Sequence, residues 1–408
     1  MSIQYEDVLS GQPANTLNWR NIVVIAALIF IVVSATYSWR GVVPLYLREL
    51  GASDQVIGLV FSVVGLGGAG AAMLAGGLAD RFGRRVVLAL AFLIAGAFLV
   101  VGALSRSWPL AALGITGALV TANVRGPVFQ ALQAESAPPG RRGMVYGVSE
   151  TLLMIGLALG PAVGASVLLR RDVPTLLLAT TVLMVGEAII VMVGLREGHH
   201  RVVNPAPLAA LRLVLRTPAL RLALLVNTLL MGLFVLMFGG PIIGLYGADV
   251  FGMDKSQLSA LLAVATIGGI PTAALGGPLA DRLGRRLTIS LAVLFYTVCV
   301  LVWTQVPVGI LNTALLFVGW AGFEMAFPGF LSWVSDIAPT GNLAAIMATL
   351  NAAPALVSAM LPVVATLLYA RWKMGPFWLS FAMALGLILA LAVFGREAGS
   401  DVDNRPNQ

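Results

Sequence analysis

GGLADRFGRR at residues 76–85 and GPLADRLGRR at 277–286 share one ten-residue frame 201 positions apart, with eight of ten residues identical. Self-similarity at such a spacing decides the architecture before any local reading, because it makes the chain two copies of one unit. In each copy a glycine-rich apolar segment runs into Asp-Arg, a turn glycine and Arg-Arg, and another apolar segment follows at once. That order describes a tight hairpin between two membrane helices, with its arginines in the turn. One such run alone could be a basic surface turn; two copies half a chain apart, each between apolar segments, point to a repeated hairpin.

Composition leads to the bilayer independently. Hydrophobic residues make up 59% of the 408 and charged residues 11%, with a mean hydropathy of +0.94; soluble domains carry about 25% charge. The net charge of +7 does not point to nucleic acid, since nearly all arginines fall in short loops, where membrane topology requires them. Cys299 is the single cysteine and sits in an apolar run, so neither a disulfide framework nor a metal cluster is expected. The polar first twenty residues lead into a long apolar segment without a small-residue cleavage site, which reads as no cleavable signal.

Segments long enough to cross about 30 Å of hydrocarbon occur twelve times: 21–47, 55–78, 85–105, 108–134, 143–169, 174–195, 220–246, 256–279, 287–305, 308–335, 342–370 and 376–395. An even number puts both termini on one side. The loops on that side, with the termini, collect 16 Lys and Arg against 7 on the other, so both termini are expected in the cytoplasm. Residues 196–219 form the one long polar linker and divide the chain into halves at 1–195 and 220–408. The linker's ALRLVLR run reads as an interfacial helix. His199 and His200 lie there without a matching cluster and read as solvated surface.

The offset of 201 extends well beyond the hairpin. It pairs Gly51 with Gly252, Gly67 and Gly68 with Gly268 and Gly269, Pro127 with Pro328, Phe129 with Phe330, Glu135 with Asp336, and Pro161 with Pro362. The doubled hairpin resembles the loop motif between helices 2 and 3 of the major facilitator superfamily, which that family repeats between helices 8 and 9. The resemblance implies an all-α membrane protein of twelve helices in two pseudo-symmetric six-helix bundles, with a substrate site between them near the midplane. It also implies that Asp80 caps helix 2 and bridges to the other half when the cytoplasmic side closes. Gly76, Arg81, Gly83, Arg84 and Arg85 complete that gate motif, and Asp281, Gly284 and Arg285 repeat it, more weakly because Pro278 replaces Gly77.

A second motif lies in helix 5, where Gly147, Gly156, Gly160, Pro161 and Gly164 follow G-x8-G-x3-GP-x2-G. It is similar to the antiporter motif of the superfamily's drug/proton exporters, with Ala165 standing where a further glycine is usual. Physically, glycines on one face let helices approach closely, and a proline loosens the backbone where halves must rock. The same glycines also suit a generic packing face.

Charges within the spans point to chemistry, since each costs about 2.5–3.5 kcal/mol at a helix centre unless it faces a cavity or a partner. They are Arg40, Arg125, Glu150, Glu187 and Glu324. The repeat sends Asn123 to Glu324 and Glu150 to Asn351, so these four are expected to line a shared cavity. Arg125 is predicted to reach an acid of its own half, Glu150 first. Glu187 reads either as a local hydrogen-bonding partner near the edge of its half or as a cavity residue. Arg40 reads as an anion contact or a gate partner. Trp320 and Phe327 stand at i−4 and i+3 from Glu324, and Asn227 accompanies Met231, Phe234 and Phe238 on helix 7. Such an aromatic and methionine wall with one carboxylate suits amphipathic, often cationic molecules; lipid-facing or core aromatics would look the same.

The sequence therefore predicts a secondary active transporter, most like a proton-coupled drug exporter, with a lipid, lysolipid or organic-anion carrier as the alternative. GxxxxGK[ST] and HExxH are absent, and no Ser/His or Cys/His grouping appears. No catalytic residue, metal or cofactor is expected. A proton gradient would supply the energy, and the expected partners are a small-molecule substrate, protons and the bilayer, with the protein a monomer. If Asp80 is a gate contact, Asp80→Asn impairs transport while membrane expression stays near that of the parent; normal turnover in that variant would remove the role.

Overall fold

The computed structural model describes residues 17–137, 142–196, 207–338, 346–347, 349–350, 354–355 and 359–403. Asn351, His199 and His200 lie outside the described residues. The first half contains α1 (Trp19–Arg40), α2 (Val43–Glu49), α3 (Asp54–Phe82), α4 (Arg84–Leu104), α5 (Trp108–Ala122), α6 (Arg125–Ser136), α7 (Arg142–Leu168) and α8 (Val173–Gly194). After α9 (Pro207–Arg216) come α10 (Pro218–Leu236), α11 (Ile242–Asp249), α12 (Lys255–Ile267), α13 (Gly269–Leu283), α14 (Arg285–Trp303), α15 (Ile310–Ile337), α16 (Leu361–Arg371) and α17 (Gly375–Asp403).

Among the described residues nine helices are each long and apolar enough to cross a membrane, and the bent pair Lys255–Thr272 with Leu275–Leu283, at 54°, makes a tenth. Of the two remaining predicted spans, 108–134 is divided at Asn123 and Val124 into α5 and α6. In the span 342–370, residues 342–345, 348, 351–353 and 356–358 lie outside the described residues, and the span ends in α16. Backbone breaks at membrane depth survive only where protein or a cavity satisfies the freed groups. Two of them fall at related places: the first predicted span breaks at Gly41–Val42 and the seventh at 237–241, and the offset carries Arg40 onto Pro241.

Helix starts on the side opposite the hairpin motifs are capped by short polar side chains. Ser53 accepts from Val56 N–H at 3.4 Å, Asp172 from Thr175 N–H at 3.0 Å, and Asp254 from Gln257 N–H at 2.8 Å. Each satisfies an otherwise orphan donor of the first turn. The repeat is also visible in the backbone. Left-handed φ angles occur among the described residues at Gly51, Gly83, Gly252 and Gly284 (95°, 85°, 64° and 89°), two pairs separated by 201. In the hairpins, Gly83 and Gly284 turn the chain directly from one helix into the next.

A tie within each half is present and duplicated. Arg84 pairs with Glu135, and Arg285 pairs with Asp336 and donates to the Ser332 carbonyl, so the start of α4 is bound to the end of α6 and the start of α14 to the end of α15. Between the halves, α7 packs on α12 and α3 on α16, while α2 meets α11. The first two contacts exchange under the offset.

Within the first half, α7 lies along α1, and the helix-5 glycines explain the closeness. A Cβ on Gly156 would stand 3.0 Å from the Phe30 carbonyl oxygen, one on Gly160 2.6 Å from that of Ser34, and one on Gly164 would run into that of Ser38. Gly147 faces open space instead. Gly160→Val is therefore expected to lower stability, by about 1–3 kcal/mol for overpacking of a tight interface, whereas Gly76→Ala, with nothing near it, leaves it unchanged. Thermal unfolding of the detergent-solubilised protein checks this; equal melting temperatures for both variants would contradict the packing.

Candidate functional site

A cavity of about 600 Å³ opens between the halves on the hairpin side, and its polar lining includes Thr36, Arg125, Gln130, Gln133, Ser149, Glu150 and Glu324. The walls are soft: Ile29, Tyr37, Phe129, Tyr146, Leu153, Met154, Phe327 and Leu331. Glu150 is presented by α7 and Glu324 by α15, so each half brings one carboxylate to the space.

The repeat builds the seat of Glu324. Glycine at 269 is required there, since a Cβ would come 2.7 Å from Glu324 Cγ. At the related place a Cβ on Gly68 would come 2.6 Å from Asn123 Nδ2. Both polar residues thus sit on equivalent glycines, but only Glu324 lines the cavity; Asn123 turns back and donates to the Leu119 carbonyl at 2.8 Å. The expectation that Asn123 faces the cavity is corrected by that local bond.

Two further cavity expectations, for Trp320 and Asn227, are corrected by packing within the second half. Trp320, 1% exposed, is packed into an aromatic cluster with Phe234, Phe238 and Phe323, the nearest ring centroids 4.2 Å apart, and belongs to the core of the second half. Asn227 is buried within the second half, donating to the Leu350 carbonyl at 2.6 Å. Arg40 lies away from the cavity, over the Tyr37 ring at 5.5 Å and within 3.5 Å of the Gly239 carbonyl across the halves, as a gate contact would. Phe327 does line the cavity.

Arg125 opens α6 just after the break and lines the cavity while almost fully buried. Its Nε donates to the Ala122 carbonyl at 3.2 Å, and its guanidinium lies 5.0 Å from the Phe92 ring centroid. Among the described residues no carboxylate comes within ion-pair distance, 4.0 Å, and the acid that acts on it electrostatically is Glu187 rather than Glu150. Glu187 is 1% exposed, because α8 packs tightly along α4 and turns this residue into the half's interior. The edge position entertained from sequence does not hold.

On the hairpin side Asp80 is exposed and, among the described residues, makes no bridge to the other half. Arg81 lies over Phe82 at 5.2 Å, and Arg285 stands 3.7 Å from Asp281. The opposite side is shut. Arg48 pairs with Asp249 of the other half at 2.5 Å and with Asp54 at 2.6 Å, Lys255 pairs with Glu49 at 2.5 Å, and Tyr369 donates to Asp249 at 2.9 Å. Ser256 Oγ donates to the Ala165 carbonyl and Thr266 Oγ1 to that of Leu157, stitching α12 to α7. Sequence reasoning missed this closure, although a signal existed. The offset carries Arg48 onto Asp249 and Asp54 onto Lys255, so equivalent positions bear opposite charges. Two equivalent residues can touch only at the axis relating the halves, and opposite signs let them attract there.

A helical membrane protein of two repeat-related halves, shut on one side and holding a charged cavity open to the other, has the architecture of a transporter. The chain belongs to the Major Facilitator Superfamily, whose family model matches residues 22–361 and 238–408. It is similar to the multidrug resistance protein MdtG of Escherichia coli O9:H4 (strain HS), 27% identical over 320 residues that cover 73% of this chain and 76% of the relative. MdtG of Escherichia coli (strain K12 / DH10B) is likewise 27% identical, over 319 residues covering 73% and 76%. In fold it is similar to the nucleoside transporter NupG, with a TM-score of 0.75, 13% identity and coverage of 92% of this chain and 99% of that one. A bacterial homolog of the human lysosomal transporter Spinster, solved inward-facing and unoccupied, gives a TM-score of 0.70 at 14% identity, covering 98% and 100%.

If the axial pair holds the closed side shut, R48A and D249A each speed labelling of a cysteine placed by Ser256→Cys with a bulky maleimide in detergent, in a Cys299→Ser background. Combining them adds little beyond the larger single effect, because both remove one interaction. Fully additive rates, or unchanged ones, would show that closure rests elsewhere.

Proposed function

We propose that this transporter exports amphipathic, drug-like small molecules, cations among them, in exchange for protons and by alternating access. The observation that carries this reading is the cavity: two carboxylates from different halves, Glu150 and Glu324, set in a wall of aromatic, aliphatic and methionine side chains. Soft side chains re-pack around varied shapes, and carboxylates with ring faces favour a cation. Support comes from the MdtG relatives, which are named multidrug resistance proteins, and from the helix-5 glycine motif seated against α1.

The arginine-rich hairpin side is assigned to the cytoplasm by the loop charge bias, with both termini there and the protein a monomer in the cell's inner membrane. With that topology the cavity faces inward and the Arg48–Asp249 side is the external gate. The proton gradient is the energy source, with no resident cofactor. Glu324 is assigned to substrate and Glu150 to the proton. A carboxyl whose contact with water and with Arg125 changes as the halves rock takes up a proton in one state and gives it up in the other. Closure of the hairpin side would bring Asp80, exposed here, to the other half.

A second reading, a lipid, lysolipid or organic-anion carrier, is favoured by one observation: Arg125 lines the cavity with no carboxylate at ion-pair distance among the described residues. Proteoliposomes separate the two. Under the first reading a cationic dye accumulates with a pH gradient and a lysophospholipid does not. E150Q then loses uphill accumulation but keeps downhill exchange, and E324Q loses binding of cations more than of neutral compounds. Uphill pumping at full rate by both variants would exclude both carboxylates as the coupling groups, and lysolipid transport without dye transport would favour the second reading.

A further inference from the structure

Glu187 is a carboxyl group that the cavity mechanism does not use. Both of its oxygens are sealed from solvent, and neither accepts a hydrogen bond among the described residues. An ionised carboxylate left so in low dielectric costs several kcal/mol, so the residue must either carry a proton or be compensated by a cation close by. One cation is in place. Arg125 acts on Glu187 electrostatically, its Nη1 is also buried without a hydrogen-bond partner among the described residues, and the two side chains stop short of ion-pair distance.

The surroundings isolate this pair. The elements packed on α8 carry Arg20, Tyr37 and Arg40 on α1, Arg84 and Arg85 on α4, and, among the described side chains of α7, Tyr146 and Glu150. Among these and Arg125, Arg125 is the charged group that acts on Glu187. Arg20 is engaged at the end of α8 with the Val193 and Gly194 carbonyls, and Arg84 with Glu135. The face of Arg125 turned to α4 is covered by the Phe92 ring. Arg125 therefore stands between two acidic environments, Glu187 behind it and the cavity with Glu150 and Glu324 in front.

We propose that Glu187 is a second proton-binding site, placed behind the cavity wall, whose protonation decides whether Arg125 is held back or turned toward the cavity carboxylates. With Glu187 ionised, the guanidinium is drawn to it, and Glu150 and Glu324 are free to hold a cationic substrate. With Glu187 protonated, that attraction is gone, and Arg125 swings forward to compete with the substrate cation for the same carboxylates. The charge balances: one proton enters at Glu187 and one positive charge leaves the cavity. Proton and substrate then exclude each other without sharing a site. This inference rests on proton-coupled export as proposed above and adds the residue that links Arg125 to the proton.

The experiment uses the purified full chain in detergent and in proteoliposomes, with tetraphenylphosphonium as the cationic probe. In the parent protein, probe binding weakens as pH falls, and binding releases protons into a weakly buffered solution. E187Q, a fixed neutral side chain, is expected to bind the probe weakly at every pH tested and to lose part of the proton release, while binding of a neutral amphiphile stays unchanged. E187D keeps a carboxyl one methylene further from Arg125 and is expected to shift the pH midpoint of probe binding. A packing role alone would change melting temperature in both variants and leave midpoint and proton release as in the parent; that result overturns the proposal. If E187Q does not accumulate, an unshifted midpoint in E187D overturns it equally. Failure of the underlying reading looks different: the parent itself would show no proton release and no pH-dependent binding.

Discussion

Hydrocarbon offers no hydrogen bonds, so every polar group at membrane depth must find its partner inside the protein or face a cavity. That constraint organises this chain. It confines Arg and Lys largely to loops, drives the backbone breaks into the interface between helices, and leaves a small set of ionisable side chains within the spans. The few that remain are all accounted for by position: Glu150, Glu324 and Arg125 at the cavity, Glu187 behind it, and Arg40 reaching a carbonyl across the halves.

Duplication of a helical unit adds a second constraint, because two equivalent surfaces must meet each other. A surface that pairs with its own copy places like charge against like at the axis unless the copies diverge. Here they have: Arg48 faces Asp249, its own counterpart, and Asp54 corresponds to Lys255. Away from the axis the copies stay alike. Arg84 with Glu135 and Arg285 with Asp336 perform the same tie in each half, and the left-handed glycines recur in pairs. The copies thus diverge at the axis and at the cavity and are retained in the hairpins.

Much of this was legible in one dimension because it depends on local pattern. Apolar length sets the spans, the 201-residue offset sets the halves, and glycine spacing marks the face of α7 that lies on α1. The site was legible in part. Glu150, Arg125, Glu324 and Phe327 could be named from charge in apolar context and from the repeat, and all four line the cavity. Trp320, Asn123 and Asn227 carried the same signal and yet face inward or back on their own helices. Rotation of a helix about its axis by one residue, about 100°, separates a cavity residue from a core residue, and apolar sequence on all sides holds no record of that angle.

What the sequence determined by itself is the solvent, the fold family and the repeat, because burial of apolar length in lipid and self-similarity are properties of the string. Which acid answers Arg125 was decided only in three dimensions. Glu150 is nearer along the chain, but with α8 packed on α4 the acid that acts on the guanidinium is Glu187, 62 residues away. The same holds for the closed side, where Arg48 and Asp249 meet only because the halves are pressed together about their axis. Contacts of this kind arise from the packing of whole helices, and electrostatic attraction selects among the neighbours that packing supplies.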